Sequence, residues 1–129
     1  MEAIDKFWLI AEAATRKIDE TYNAPDVIPF GIQVLELIEA NPDNRPDFVE
    51  AFIQGFQNAS KCDEALIEFC MHSLRWPEAK DRFEVLSREA IAREDWNSVN
   101  PLQHILDAFE DDWEDATDFY AGYFGAKNT

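Results

Sequence analysis

The sequence predicts an all-α fold, a compact bundle of about six helices. Three observations carry that expectation. Apolar residues recur at steps of three and four along most of the chain. Most prolines sit where a helix would begin, a position that tolerates them because first-turn amides have no intrahelical acceptor. No stretch alternates in the two-residue rhythm of a half-buried strand, and four glycines are few for a set of hairpins. At 129 residues the chain has the size of one domain, so a single core is expected across residues 1–129.

Ile4, Phe7, Trp8, Ala11, Ala14, Ile18 and Tyr22 mark an amphipathic first helix over residues 3–22. The tetrapeptide NAPD (23–26) breaks it, and a second helix runs from near Asp26 to about Ala40 with Pro29 in its first turn. Its apolar residues, from Val27 to Ile38, cover most of the circumference, as in a helix buried on several sides. NPDNRP (41–46) is a turn, and Pro46 opens a third helix through Phe48, Val49, Phe52, Ile53 and Phe56. Ser60 followed by Asp63 approximates a capping box for a fourth, containing Leu66, Phe69, Cys70 and Leu74 and ended by Pro77. Ala79, Phe83, Leu86 and Ala90 define a fifth. Asn100, Pro101 and Gln103 supply a cap, a first-turn proline and an N3 amide for a sixth. The proline-separated pairs 26–58 and 62–93 suggest stacked HEAT-like helical hairpins.

The sixth helix carries the most distinctive chemistry. Leu102, Ile105, Leu106, Phe109, Trp113, Ala116 and Tyr120 trace an apolar face, and Asp107, Asp111, Glu114 and Asp118 trace the opposite one, flanked by Glu110, Asp112 and Asp115. In an unbroken helix these seven carboxylates would span about 16 Å, roughly one charge per 2.4 Å, against about 1.7 Å in duplex DNA. Like charges three or four apart would cost about 2 to 4 kcal/mol in total. A separate last helix, capped by Asp111 or Asp112, would remove most of that cost; both arrangements stay open. Phe119, Tyr120, Tyr123 and Phe124 form i, i+4 rows, with Gly125 as a helix stop. They either lock the C-terminal turn onto the core or leave Tyr123 as an exposed anchor beside the acids.

Charge narrows the function classes. The chain has 11 basic and 27 acidic side chains, a net charge of −16, which repels nucleic acid and anionic membrane surfaces as direct partners. Residues 96–126 hold seven acids without a Lys or Arg, and residues 18–44 hold six. Cys62 and Cys70 lie eight apart in one expected helix, about 12 Å along its axis and too far for a disulfide, so reduced thiols and a cytoplasmic location are expected. MEAIDKFWLIAEAATRK has neither the basic start nor the apolar run of a signal peptide, and no apolar stretch approaches a membrane span.

Motifs for catalysis are missing. There is no HExxH, no pair of ExxH motifs and no CxxC. His72 follows Glu68 by four residues and Cys70 by two, but Cys70 and His72 point about 200° apart on a helix. Neither a glycine-bearing calcium loop, a phosphate-cradling loop nor a nucleophile elbow is present. The expectation is a non-enzymatic protein with no cofactor and no metal, its two histidines serving as ordinary polar residues.

The segment FCMHSLRWPEAKDRFEVL (69–86), taken with the size, acidity and helical class, resembles the small immunity proteins of bacterial toxin systems, including contact-dependent growth inhibition. That resemblance implies a cytoplasmic inhibitor covering the active site or substrate channel of a toxin, frequently a basic nuclease. The expected partner surface is Asp107, Glu110, Asp111, Glu114, Asp115 and Asp118, with Tyr123 as anchor. Two other readings compete: a nucleic-acid mimic directed at a DNA-binding protein, and a HEAT-like adaptor holding a peptide or partner helix.

Overall fold

The structure, a computed structural model, describes residues 2–127, with side chains as far as Phe124. The described residues form eight helices and no strand: α1 (Ala3–Thr21), α2 (Ile28–Ala40), α3 (Arg45–Phe56), α4 (Glu64–Leu74), α5 (Pro77–Ala92), α6 (Trp96–Asp107), α7 (Glu114–Asp118) and α8 (Ala121–Lys127). The all-α expectation therefore holds, and the six long helices fall close to where periodicity places them.

Proline positions explain most boundaries. Pro25 and Pro42 sit in single 3₁₀ turns, and Pro29, Pro46 and Pro77 in the first turns of α2, α3 and α5. Pro101 is the exception, because it lies inside α6. That helix starts five residues before the expected proline, at Trp96, where the Asp95 carboxylate accepts a hydrogen bond from the Ser98 hydroxyl at 2.8 Å. Gln103 is correspondingly no capping residue: its amide donates to Ser87 Oγ on α5 at 3.1 Å. The cap of α4 also shifts, from Ser60 to Asp63, whose Oδ1 accepts from the Ala65 amide at 2.9 Å. Gly125 does not stop the last helix, which continues to Lys127.

The helices pack as three sequential pairs, α1 with α2, α3 with α4 and α5 with α6. Odd helices neighbour odd (α1, α3, α5) and even helices neighbour even (α2, α4, α6), giving two layers. The pairing is thus one helix out of step with the 26–58 and 62–93 pairs that the proline turns suggest. Buried apolar residues of every long helix join one cluster, with Phe7, Phe48, Phe52, Phe69, Phe83, Leu66 and Ile105 among its fully buried members. Gly31 lets α2 approach α4 closely, since a Cβ there would overlap the Phe69 ring. That contact orients Phe69 toward the C-terminal rings, at 5.6 Å from Tyr120 and 5.2 Å from Phe124.

Candidate functional site

The acid-rich segment is not one helix. After Asp107 the chain makes successive tight turns, with Phe109, Glu110 and Trp113 amides donating to the carbonyls of Leu106, Asp107 and Glu110. α7 then begins at Glu114, and neither Asp111 nor Asp112 caps it; Trp113 occupies that position. Glu114 and Asp115 fall in its first turn, where the exposed amides favour negative charge. Asp107 is thereby taken off the helix that bears Glu114, Asp115 and Asp118, and the evenly spaced row of seven carboxylates does not exist.

His72 helps to fix this break. Burial leaves its side chain packed 4.9 Å from Trp113 and 4.7 Å from Phe124, and its Nδ1 lies 2.7 Å from the Ala108 carbonyl at the end of α6. A carbonyl can only accept, so Nδ1 carries the proton. Nε2, 3.2 Å from Arg75 Nη2, is then the acceptor for that guanidinium. Desolvation holds the imidazole below its ordinary pKa, keeping it neutral, although the Ala108 bond opposes the shift. Arg75 itself ends α4 in the left-handed region at φ 49°, its amide donating to Met71 O. Its Nε donates to the His72 carbonyl at 3.0 Å, and its guanidinium also pairs with Asp111.

The expected partner residues separate into groups. Asp107, Glu110, Glu114 and Asp115 come together, joined by Asp112, in a cleft of about 540 Å³ whose wall also includes Glu68, His104 and Trp113. Asp111 faces Arg75 in a neighbouring cleft, and Asp118 is exposed outside both. Glu110 has a cationic neighbour too, Lys80 Nζ at 3.8 Å. Tyr123 is half-buried, its ring 5.1 Å from Phe69 and 5.0 Å from Phe124, so it belongs to the inward-packed rings. The exposed ring of this group is Phe119, at 46%.

Periodicity did not single out Glu68. Burial pushes its carboxyl up to about 8 from an ordinary 4.5, and the charges of Glu64, Asp115, Asp63 and Asp107 add to the effect. Desolvation also raises Asp115, with Asp118 reinforcing it and His104 opposing. The Tyr120 phenol is raised by burial and then by Glu68. Glu64 is raised by burial, against the pull of His104, whose Nδ1 lies 3.3 Å from Glu64 Oε1. The sequence did hold a signal: Glu64 and Glu68 stand one turn apart in EALIEFCMHSL, a segment otherwise rich in buried apolar residues.

No protein-family model, curated protein or solved structure matches the chain. What the acidic cleft does must therefore come from its own geometry. Cys62 and Cys70 are buried thiols; desolvation pushes Cys62 up to about 12 and Cys70 well above its ordinary value, which makes both poor nucleophiles. Among the described residues, no helix is long and apolar enough to cross a membrane.

Proposed function

We propose that the chain is a non-enzymatic inhibitor that binds and neutralises a basic protein, as the immunity partner of a bacterial toxin. The observation that carries this reading is the cleft between the end of α6 and α7, where Asp107, Glu110, Asp112, Glu114 and Asp115 converge. Among the described residues, only Lys80 and His104 approach that wall with positive or potentially positive charge. With a net charge of −16 behind it, such a concave acidic surface speeds encounter with a cationic partner and rejects anionic ones. The segment that resembles immunity proteins, residues 69–86, contributes His72, Arg75 and Lys80, the three residues that fasten the acidic turn to α4 and α5. A nuclease, whose active site is built to hold phosphates, is the partner class best matched by this charge. The broken acidic row removes the even spacing on which nucleic-acid mimicry depends.

The test begins by capturing partners with the tagged chain from its native host and measuring the complex across a salt series. The retained protein is expected to be basic and to lose its activity when bound. Replacing Asp107 and Asp112 by Asn and Glu110 and Glu114 by Gln is expected to slow association at least ~10-fold at low salt. An unchanged on-rate, or binding indifferent to salt, would remove this surface and the inhibitor reading built on it.

A further inference from the structure

Two carboxylates and an imidazole meet where α6 crosses α4. Glu64 and Glu68 occupy successive turns of α4 and so share one face. α6 packs on that face and brings in His104. One ligand atom from each of the three lies within 4.8 Å of the others. Two of those groups also lack the partners expected of them. Glu64 Oε1 is buried without a hydrogen bond among the described residues: His104 Nδ1 approaches it at 3.3 Å, close enough for an ion pair but not directed as a hydrogen bond. The Glu68 carboxylate has neither a hydrogen bond nor an ion pair among the described residues.

We propose that Glu64, Glu68 and His104 form a binding site for a divalent transition-metal ion, with Zn²⁺ the ion that best suits the donors. The bare Glu64–His104 contact leaves two carboxyl groups crowded one turn apart and the buried Glu64 Oε1 without a well-directed hydrogen bond, both of them unfavourable. A cation between the three resolves both at once. The donor set of one imidazole nitrogen and two carboxylate oxygens is one zinc accepts, whereas calcium and magnesium favour all-oxygen shells. Neighbouring ligands on a tetrahedral zinc stand roughly 3.4 Å apart, so side-chain adjustments of about an ångström close the set. Three protein ligands leave a fourth position open, and Glu68 and His104 line the acidic cleft through which an ion or an exogenous donor would reach it.

The metal-free chain would be titrated with Zn²⁺ by calorimetry, alongside His104→Asn, Glu68→Gln and a cleft control, Asp112→Asn with Glu114→Gln. The wild type is expected to bind one equivalent saturably. Each ligand variant should lose at least ~10-fold in affinity, and the control should stay close to the wild type. His104 is exposed, so its variant preserves the test even if Glu68→Gln perturbs folding, and circular dichroism checks both. Absence of saturable binding overturns the proposal. So does equal affinity in wild type, His104→Asn and Glu68→Gln, which would mean that Zn²⁺ sits on the diffuse surface acids. Ca²⁺ should give no saturable step; a Ca²⁺ step that the same variants abolish would overturn the zinc assignment.

Discussion

Two clusters of rings hold the protein together, and they differ in what surrounds them. Beneath α1 and α3, Phe7, Phe48 and Phe52 are fully buried and meet edge to face, Phe7 standing 5.2 Å from Phe52 and 6.5 Å from Phe48. At the other end, Phe69, His72, Trp113, Tyr120 and Phe124 make a comparable cluster, but it contains an imidazole and a phenol and borders Glu68 and Asp115. The first is hydrocarbon packing, whose strength is fixed by area and shape. The second couples packing to protonation and to the acidic cleft, so the same kind of side chain becomes sensitive to solution conditions when titratable groups share its burial.

Phe7→Ala gives the largest expected effect. Removing a fully buried ring costs about 3 to 5 kcal/mol, and the loss should be the same at pH 5 and pH 8 because the ring contacts hydrocarbon. Urea denaturation at both pH values measures it. A loss that changed strongly with pH would erase the distinction between the two clusters.

Glu68 should produce the opposite pattern. Its carboxyl titrates at about 8 in the folded chain against an ordinary 4.5, so the folded state holds a proton that the unfolded state releases between those values. Below pH 4.5 both states are protonated and the group is neutral in its effect; as pH rises toward 8, stability falls. At 1.36 kcal/mol per pH unit, the loss reaches roughly 3 kcal/mol by pH 7. Glu68→Gln in chelator-containing buffer should flatten that slope and denature later than the wild type at pH 8, while matching it near pH 4.5. Equal slopes in both chains would show that the carboxyl is solvated and that the second cluster is ordinary packing.

The two regions were also unequally legible. Around Phe7, Phe48 and Phe52, spacing alone identified the buried face, because each residue lies within one unbroken helix and the 3.6-residue period has a single solution. Periodicity misled at the C-terminal end. Leu102, Ile105, Phe109, Trp113 and Tyr120 do all turn inward, as one helical face predicts, yet they do so across a break. What makes the break is tertiary: His72 captures the Ala108 carbonyl, and Arg75 and Lys80 answer Asp111 and Glu110, from 30 to 36 positions earlier in the chain. A local pattern has no access to such partners. The same limit hid the Glu64, Glu68 and His104 constellation, since His72 is the histidine adjacent in sequence and His104 arrives only through the packing of α6 on α4. Likewise the alternation of odd and even layers, and with it the true helix pairing, depends on which faces meet.

The smallest effect sharpens the comparison further. Asp111 pairs with Arg75 at the acidic turn, but its side chain is 95% exposed, so solvent screens the attraction and Asp111→Asn should cost less than ~1 kcal/mol of stability. Arg75 keeps its bond to the His72 carbonyl, and His72 keeps Ala108, so the break in the chain should survive intact. Chemical denaturation of the variant, with near-ultraviolet circular dichroism to follow Trp113 and Tyr120, checks both points. If the aromatic signal collapses with this one exposed charge, the ion pair and not the buried imidazole is what holds the turn. The second cluster would then owe its shape to surface electrostatics and should loosen in high salt, whereas the Phe7 cluster would not.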